Sequence, residues 1–259
     1  ANELHEMLPE SIRKAGKITV AAQIDLPPQQ FYDTDNKTVV GISADIAEAL
    51  GTVLDVDFEF TNVSFSSIIP GIESGRFDIG ITAMNDTEER QQQVTFVDYI
   101  QSGVRLMVKA GNPADVTSLE EMCGKSIATL QGSVNNERIE KASEENCVGK
   151  GKDPIDMQIF ASSPDARSAM LTGRVDASLI DQIAGAYQVQ QLPGEVEQVG
   201  PFIPSANMGM PMKKGNKELA EALHAAMKAI IADGSYLKAL EKWNTAEVAL
   251  EDPKITGLD

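Results

Sequence analysis

Apolar positions along this chain recur with the strand period of about 2 and the helix period of about 3.6, and the two take turns. Residues 17–23 (KITVAAQ) predict a strand, and residues 31–40 a hairpin turning through Asp33-Thr34-Asp35-Asn36. Ile42, Ile46, Ala49, Leu50 and Val53 keep helical spacing, and residues 56–61 alternate as a strand. A helix follows over 66–74, with Gly75 placed for a left-handed cap, then a buried strand over 78–82. A second series begins after Gly111-Asn112-Pro113. Ser118 and Glu121 have capping-box spacing, 126–130 reads as a strand, and a helix starts at Ser133. Residues 156–160 form a strand, and Ser163-Pro164 caps a helix that ends at Gly173. Residues 175–180 form another strand, with a helix from about Asp181. Met208, Met210 and Met212 share one strand face and belong to the core. Leu219, Leu223, Met227, Ile230 and Ile231 make an amphipathic helix ending near Gly234, and Tyr236, Leu237, Leu240 and Trp243 extend a helical face. The tail past Glu247 is polar and is expected to pack on the surface or to fray. Strands alternating with helices predict an α/β fold of mainly parallel sheets covered on both faces.

One segment occurs twice. Ser74-Gly75-Arg76-Phe77-Asp78-Ile79-Gly80 and Thr172-Gly173-Arg174-Val175-Asp176-Ala177-Ser178 each end a helix at glycine and enter a strand through arginine and aspartate. The physical reading is two similar lobes. In open α/β sheets ligands sit beyond the carboxyl ends of the strands, which directs attention to the residues just after these two.

Composition narrows the function. The chain has 259 residues, 42% hydrophobic and 24% charged, which suits a soluble protein with a sizeable core. No apolar run approaches the ~18 residues of a membrane span, and the first residues, from Ala1, read as a mature or trimmed terminus. A net charge of −17 repels phosphate backbones and anionic lipid, which argues against nucleic acid and direct membrane binding. Two cysteines, Cys123 and Cys147, allow one disulfide, worth about 3 kcal/mol in an oxidising compartment. The alternative is two buried thiols. With so few cysteines and only His5 and His224, a metal site has little to build from.

Catalytic signatures are scarce. There is no Gly-x-Ser-x-Gly elbow, no phosphate-cradling glycine loop and no His-x-x-x-His pair, so no catalytic residue and no cofactor is assigned. What stands out is one charge after each echoing strand. Arg90 follows the first, and its planar fork suits a carboxylate. Asp181 follows the second and suits an ammonium. Together they would read the zwitterion of a free amino acid. Alone, Arg90 also reads as a surface helix residue and Asp181 as a helix N-cap.

At this point the sequence resembles a known family. The segments Val39-Val40-Gly41-Ile42-Ser43-Ala44-Asp45-Ile46-Ala47, Phe65 to Pro70, Asp86-Thr87-Glu88-Glu89-Arg90, Val94-Thr95-Phe96-Val97-Asp98-Tyr99, Leu130-Gln131-Gly132-Ser133 and Gly173-Arg174-Val175-Asp176-Ala177 are similar, in order, to blocks of the polar-amino-acid class of extracytoplasmic solute-binding proteins of ABC importers. The likeness spans roughly residues 8–245. It implies a type II periplasmic-binding-protein fold: two Rossmann-like lobes, the first of residues 1–107 and 207–259, the second of 108–206. Hinge crossovers are implied near 106–109 and 202–207. It implies a monomer, periplasmic or held at the cell surface, where a lipid anchor is one option, that binds a small amino acid and delivers it to a membrane permease. In that family's pattern Arg90 matches the carboxylate-binding arginine and Asp181 the ammonium-binding aspartate. Thr82, Ala83 and Asn85 take the first-lobe contact positions, Ser133, Val134 and Asn135 the second-lobe helix start, and Phe65 the aromatic that stacks on the ligand or else anchors its helix.

Departures sit at the side-chain end of the site. Ser43 replaces an acidic residue, Leu26 stands where many members carry an aromatic, and Val134 replaces a threonine. Gln23, Asp25, Gln29 and Gln30 remain as polar contacts, which leans the reading toward a polar or cationic amino acid. Two rivals share the fold that the resemblance implies: an extracellular amino-acid sensor domain, and an enzyme like the cyclohexadienyl dehydratases, which adds a general acid to the cleft.

Overall fold

The computed structural model describes residues 2–131 and 133–259. In chain order its strands are β1 (Lys17–Ala22), β2 (Phe31–Tyr32), β3 (Val39–Val40), β4 (Asp57–Asn62), β5 (Ile79–Gly80), β6 (Val94–Lys109), β7 (Ser126–Leu130), β8 (Asp156–Phe160), β9 (Ala177–Asp181), β10 (Val196–Lys213) and β11 (Ile255–Thr256). The helices are α1 (Glu3–Glu6), α2 (Glu10–Ala15), α3 (Ile42–Leu54), α4 (Phe65–Glu73), α5 (Glu88–Gln91), α6 (Asn135–Asn146), α7 (Ser163–Leu171), α8 (Gln182–Gln191), α9 (Lys217–Ala232) and α10 (Ser235–Glu241). The chain divides into two compact units, one of Ala1–Ser102 with Ser205–Asp259, the other of Gly103–Pro204. The backbone passes from one to the other within β6 and within β10.

The two units repeat one topology. In the first, β1 pairs in parallel with β4 and with β5, and β10 lies antiparallel beside β5. In the second, β7 pairs in parallel with β8 and with β9, and β6 lies antiparallel beside β9. Each unit is thus a parallel sheet in the order second, first, third, followed by an antiparallel strand. In that order the connections leave the first strand in opposite directions, and a crevice opens at the carboxyl ends of the first and third strands. Those strands are β1 and β5 in one unit and β7 and β9 in the other.

The echoed segments explain how each third strand is held. Gly75 and Gly173 follow α4 and α7 with φ of 78° and 77°, values open to glycine at little steric cost. The aspartate three residues on then ties the third strand to the first. Asp78 Oδ2 accepts from Thr19 N (2.8 Å) and Thr19 Oγ1 (2.7 Å), and Asp78 N donates back to Thr19 Oγ1 (2.9 Å). Asp176 Oδ2 accepts from Ser126 N (2.8 Å) and Ser126 Oγ (3.1 Å), and Asp176 N donates to Ser126 Oγ (3.0 Å). Above these latches each sheet is sealed by helical faces at the spacing the sequence displays. Ile42, Ile46, Leu50 and Leu54 of α3 are fully buried, as are Leu223, Met227 and Ile230 of α9. Met208, Met210 and Met212 are buried as well. In the second unit Ile127, Leu179, Ile139 and Met122 pack together, beside the Cys123–Cys147 disulfide with its Cα atoms 5.4 Å apart.

Several local expectations change. Ser162, not Ser163, caps α7: its Oγ accepts from Asp165 N (3.3 Å), and Pro164 sits one place further into the first turn. Two serines in a row make the cap ambiguous by one position. Ser118 makes no side-chain cap bond, and Leu119–Glu121 is one 3₁₀ turn. The helix expected from Ser133 begins at Asn135, after Ser133 Oγ has accepted from Asn135 N (3.1 Å). Gly132, within the quoted Leu130–Ser133 motif, lies outside the described residues, as does Ala1. Of the two expectations for the polar tail, packing holds and fraying does not. Val248 and Leu250 are buried, and Ile255 and Thr256 pair with Val97 and Phe96. A two-residue strand among charges leaves no periodic signal.

Candidate functional site

In the first unit the ends of β1 and β5 are held by a buried polar network. Gln30 Nε2 donates to Gln23 O (2.9 Å) and to Thr82 Oγ1 (3.1 Å), while Ser43 Oγ donates to Gln30 Oε1 (2.9 Å). Gln29 Nε2 donates to the Tyr99 hydroxyl (2.9 Å), which donates in turn to Thr82 O (2.8 Å). Gln30, Ser43, Thr82 and Tyr99 have no exposed surface, so each must be satisfied internally. This corrects the reading of Gln30 as a ligand contact, because both ends of its amide are committed to the frame, whereas Gln29 is tied through Nε2 alone. It also gives Ser43 a use in place of the family's acid. Thr82 is sealed within the network, so it shapes the β5 end rather than presenting its hydroxyl. Gln23 is half-buried, and Asp25 is exposed.

The loop after β5 carries Ala83 and Asn85, both half-buried, into α5. Thr87 caps that helix, its Oγ1 accepting from Arg90 N (3.3 Å). Arg90 Nη1 donates to Asn85 O (2.8 Å), and its guanidinium lies 5.4 Å from the centroid of the Phe65 ring at the start of α4. Phe65 packs on the core beside Ile68 and Ile72, and its ring carries the arginine. Among the described residues no carboxylate lies within ion-pairing distance of Arg90, and four of its five N–H donors make no hydrogen bond.

In the second unit the ends of β7 and β9 surround a cavity of about 270 Å³, lined by Thr129, Ser133, Asn135, Ser163, Arg167 and Asp181 among others. Three of the residues expected from sequence thus meet at one place. Asp181 closes β9 and caps α8: its Oδ1 accepts from Ile183 N and Ala184 N, each at 3.0 Å. Both sequence readings of this residue are compatible, since the cap uses one oxygen and leaves Oδ2 without a hydrogen bond among the described residues. Burial pushes its carboxyl above the ordinary value, and the two N–H donors pull it partway back. Val134 is 84% exposed beside Ser133. Sequence reasoning missed Asn136, whose Oδ1 accepts from Thr129 Oγ1 (2.8 Å) and whose Nδ2 donates to Leu130 O (3.3 Å), bracing the loop that carries Ser133. It also missed Arg167.

The histidines are structural anchors. His5 Nδ1 lies 2.8 Å from Leu54 O, and His224 Nε2 lies 2.9 Å from Pro253 O. Among the described residues no group of three or more His, Cys, Asp or Glu is placed to hold a metal ion, and no helix is long and apolar enough to cross a membrane. Near the carboxyl ends of equivalent strands, the first unit offers Arg90 and the second Asp181, each a half-buried charge with hydrogen-bonding capacity left over.

Comparison with known proteins places the chain in a family. The chain is 27% identical over 253 residues to an arginine-binding protein of Corynebacterium glutamicum, covering 98% of this chain and 82% of that one. It is 32% identical to the solved structure of an ancestral arginine-binding protein bound to arginine, with a TM-score of 0.59, covering 88% of this chain and 98% of the other. The unliganded open L-cystine solute receptor of Neisseria gonorrhoeae shares the fold at a TM-score of 0.78 and 22% identity, over 91% of this chain and 95% of that one. The model of bacterial extracellular solute-binding proteins, family 3, matches residues 18–246, and the chain belongs to that family.

Proposed function

We propose that this receptor binds a free polar α-amino acid, with Arg90 of the first unit holding the carboxylate and Asp181 of the second holding the ammonium. The observation that carries the reading is the pair of unmatched charges. Arg90 keeps free donors beside Phe65, and Asp181 keeps a free carboxylate oxygen in a mainly apolar cavity that also carries Thr129, Ser133 and Asn135. Leaving half-buried charges without partners is costly, and a zwitterion supplies both counter-charges at once. Ala83 and Asn85 would complete the first-unit contacts, and Ser133, Val134 and Asn135 those of the second. Because the two charges belong to different units, the ligand favours whichever arrangement lets both act together, and binding shifts the population toward it. The ligand-bound form then docks on the permease of an ABC importer, outside the cytoplasm. The names of the arginine-binding relatives support an amino-acid ligand, without fixing which one.

The test is a thermal-shift screen of the twenty L-amino acids with L-cystine, on the wild type, Arg90→Ala and Asp181→Asn. Asparagine is chosen because its Oδ1 keeps the α8 cap while the charge goes. A true ligand at 100 times its Kd stabilises by about 2.7 kcal/mol. One or a few ligands should shift the wild type and neither variant. If no free α-amino acid shifts the wild type, or if Arg90→Ala keeps the shift, the proposal falls.

A further inference from the structure

We infer that Arg167 is the specificity determinant of this site, and that the second-unit cavity selects an α-amino acid whose side chain ends in a carboxylate. The inference rests on the receptor reading above and names the side chain that reading leaves open.

The cavity of about 270 Å³ runs between α7 and α8, with Asp181 at the start of α8 and Arg167 on α7 both on its wall. Two other arginines of this unit, Arg105 and Arg174, are occupied. Arg105 Nε donates to Gly200 O (2.8 Å), and the Arg174 guanidinium lies 5.4 Å from the Phe160 ring centroid. Arg167 is half-buried, and among the described residues it has no hydrogen bond, ion pair or ring contact. A guanidinium keeps its charge at any physiological pH, so it cannot escape the cost of partial burial by losing a proton.

Asp181 does not serve as its partner. No ion pair joins them, and the state of the Asp181 carboxyl is set by burial and by the N–H groups of Ala184 and Ile183, with no cation among the causes. The wall therefore presents a negative and a positive group that do not neutralise each other. A ligand ammonium at Asp181 leaves the arginine still open. Beside it stand Ser163 and the Gln188 amide, hydrogen-bonding groups without charge. The fork of Arg167 takes a planar two-oxygen group best, which is a carboxylate. A lysine or arginine side chain entering the same space would meet a like charge instead. The first unit offers little to overrule this, since Gln30 is locked in its frame, Gln29 is tied through Nε2 and Asp25 is exposed.

The experiment is isothermal titration of the full chain with L-glutamate, L-cystine, L-glutamine, L-lysine and L-arginine, repeated on Arg167→Gln, Arg167→Glu and Asp181→Asn. L-Cystine is included because its far end carries a carboxylate as well as an ammonium. The wild type is expected to bind L-glutamate or L-cystine at least tenfold tighter than the other three. Arg167→Gln should weaken that ligand about ten- to a hundredfold. Arg167→Glu should bring L-lysine or L-arginine above it. The inference is overturned if a ligand without a side-chain carboxylate binds the wild type tightest, or if Arg167→Gln leaves the Kd of the tightest ligand within threefold. If Asp181→Asn abolishes binding while Arg167→Gln does nothing, the receptor reading stands and this inference alone fails. If none of the five binds the wild type, this inference fails, and the receptor reading is decided separately by the full amino-acid screen.

Discussion

Asp98 should make the first unit less stable as pH rises, and replacing it with asparagine should remove that dependence. The residue lies on β6 and is 2% exposed. Its Oδ2 accepts from Asn207 Nδ2 (2.9 Å), but its Oδ1 is buried with no donor facing it. The neighbouring group is the carboxyl of Asp86, already accepting from Gln91 Nε2 (2.9 Å) and Thr256 Oγ1 (2.6 Å). Two acceptors cannot bond each other unless one carries a proton. Desolvation, then the Asp86 carboxyl, push Asp98 up to about 7 from 3.8. The amine of Lys214, in the same unit, is committed to the carbonyls of Gln91 (2.7 Å) and Gly257 (2.9 Å).

The sign follows from proton counting. Above about 7 Asp98 is ionised in the folded and unfolded chains alike, and the folded state carries the full burial cost. Between about 7 and 3.8 the folded protein binds a proton that the unfolded chain does not, so stability rises as pH falls through that window. Full displacement over the window corresponds to roughly 4 kcal/mol. Asp86 is half-buried, so solvent screens part of it, and about 2 kcal/mol is expected. An asparagine side chain would mimic the protonated acid, its amide donating toward Asp86 and its oxygen still accepting from Asn207. Asp98→Asn should therefore melt about 4–8 °C above the wild type at pH 8, with the gap shrinking toward pH 5. Circular-dichroism melts of both proteins at pH 5, 6, 7 and 8 and constant ionic strength measure this. A gap that is equal at pH 5 and pH 8, or a variant less stable than the wild type at pH 8, refutes the reasoning.

Two further outcomes follow from packing and covalent structure. Gly103→Ala should cost about 1–3 kcal/mol in denaturant unfolding, because the added Cβ would lie 2.4 Å from Phe202 Cε2 and 2.5 Å from the backbone oxygen of Ile203. Replacing both Cys123 and Cys147 by serine releases a loop with a sequence separation of 24 and should cost about 3 kcal/mol, read as a lower melting temperature that reductant no longer changes.

The fold is legible in the sequence where periodicity or repetition carries it. The helical spacing of Ile42, Ile46 and Leu50 names the buried face of α3, and the two Gly-Arg-x-Asp segments sit at equivalent latches of two like sheets. What stays hidden is what depends on partners distant in the chain. Nothing around Asp98 distinguishes it from the other acids of a −17 chain; its burial comes from β10, β11 and the loop before α5 converging on it. Gln30 reads as a free polar group until Ser43 and Thr82 arrive from other elements to take its amide. Arg167 is the converse case. On a helix with Asp165 two places before it, it reads as an ordinary solvated cation, and what singles it out is the absence of any partner among the described residues of the folded unit.

For Asp181 the cap and the proposed ligand contact do not compete. A helix start offers backbone N–H groups at fixed positions, and a short acid there is the simplest way to satisfy two of them. That use fixes the rotamer through Oδ1 and aims Oδ2 in one direction. A site residue gains most from being held in place before the ligand arrives, since the ordering cost is then borne by the fold rather than by binding. The same holds in the other unit, where one guanidinium donor is bound to Asn85 O and the ring of Phe65 backs the plane, leaving the rest of the fork free. In each unit a local structural bond orients a charge whose remaining hydrogen-bonding capacity is left open, so the two residues proposed to hold the solute are also held in place by the fold.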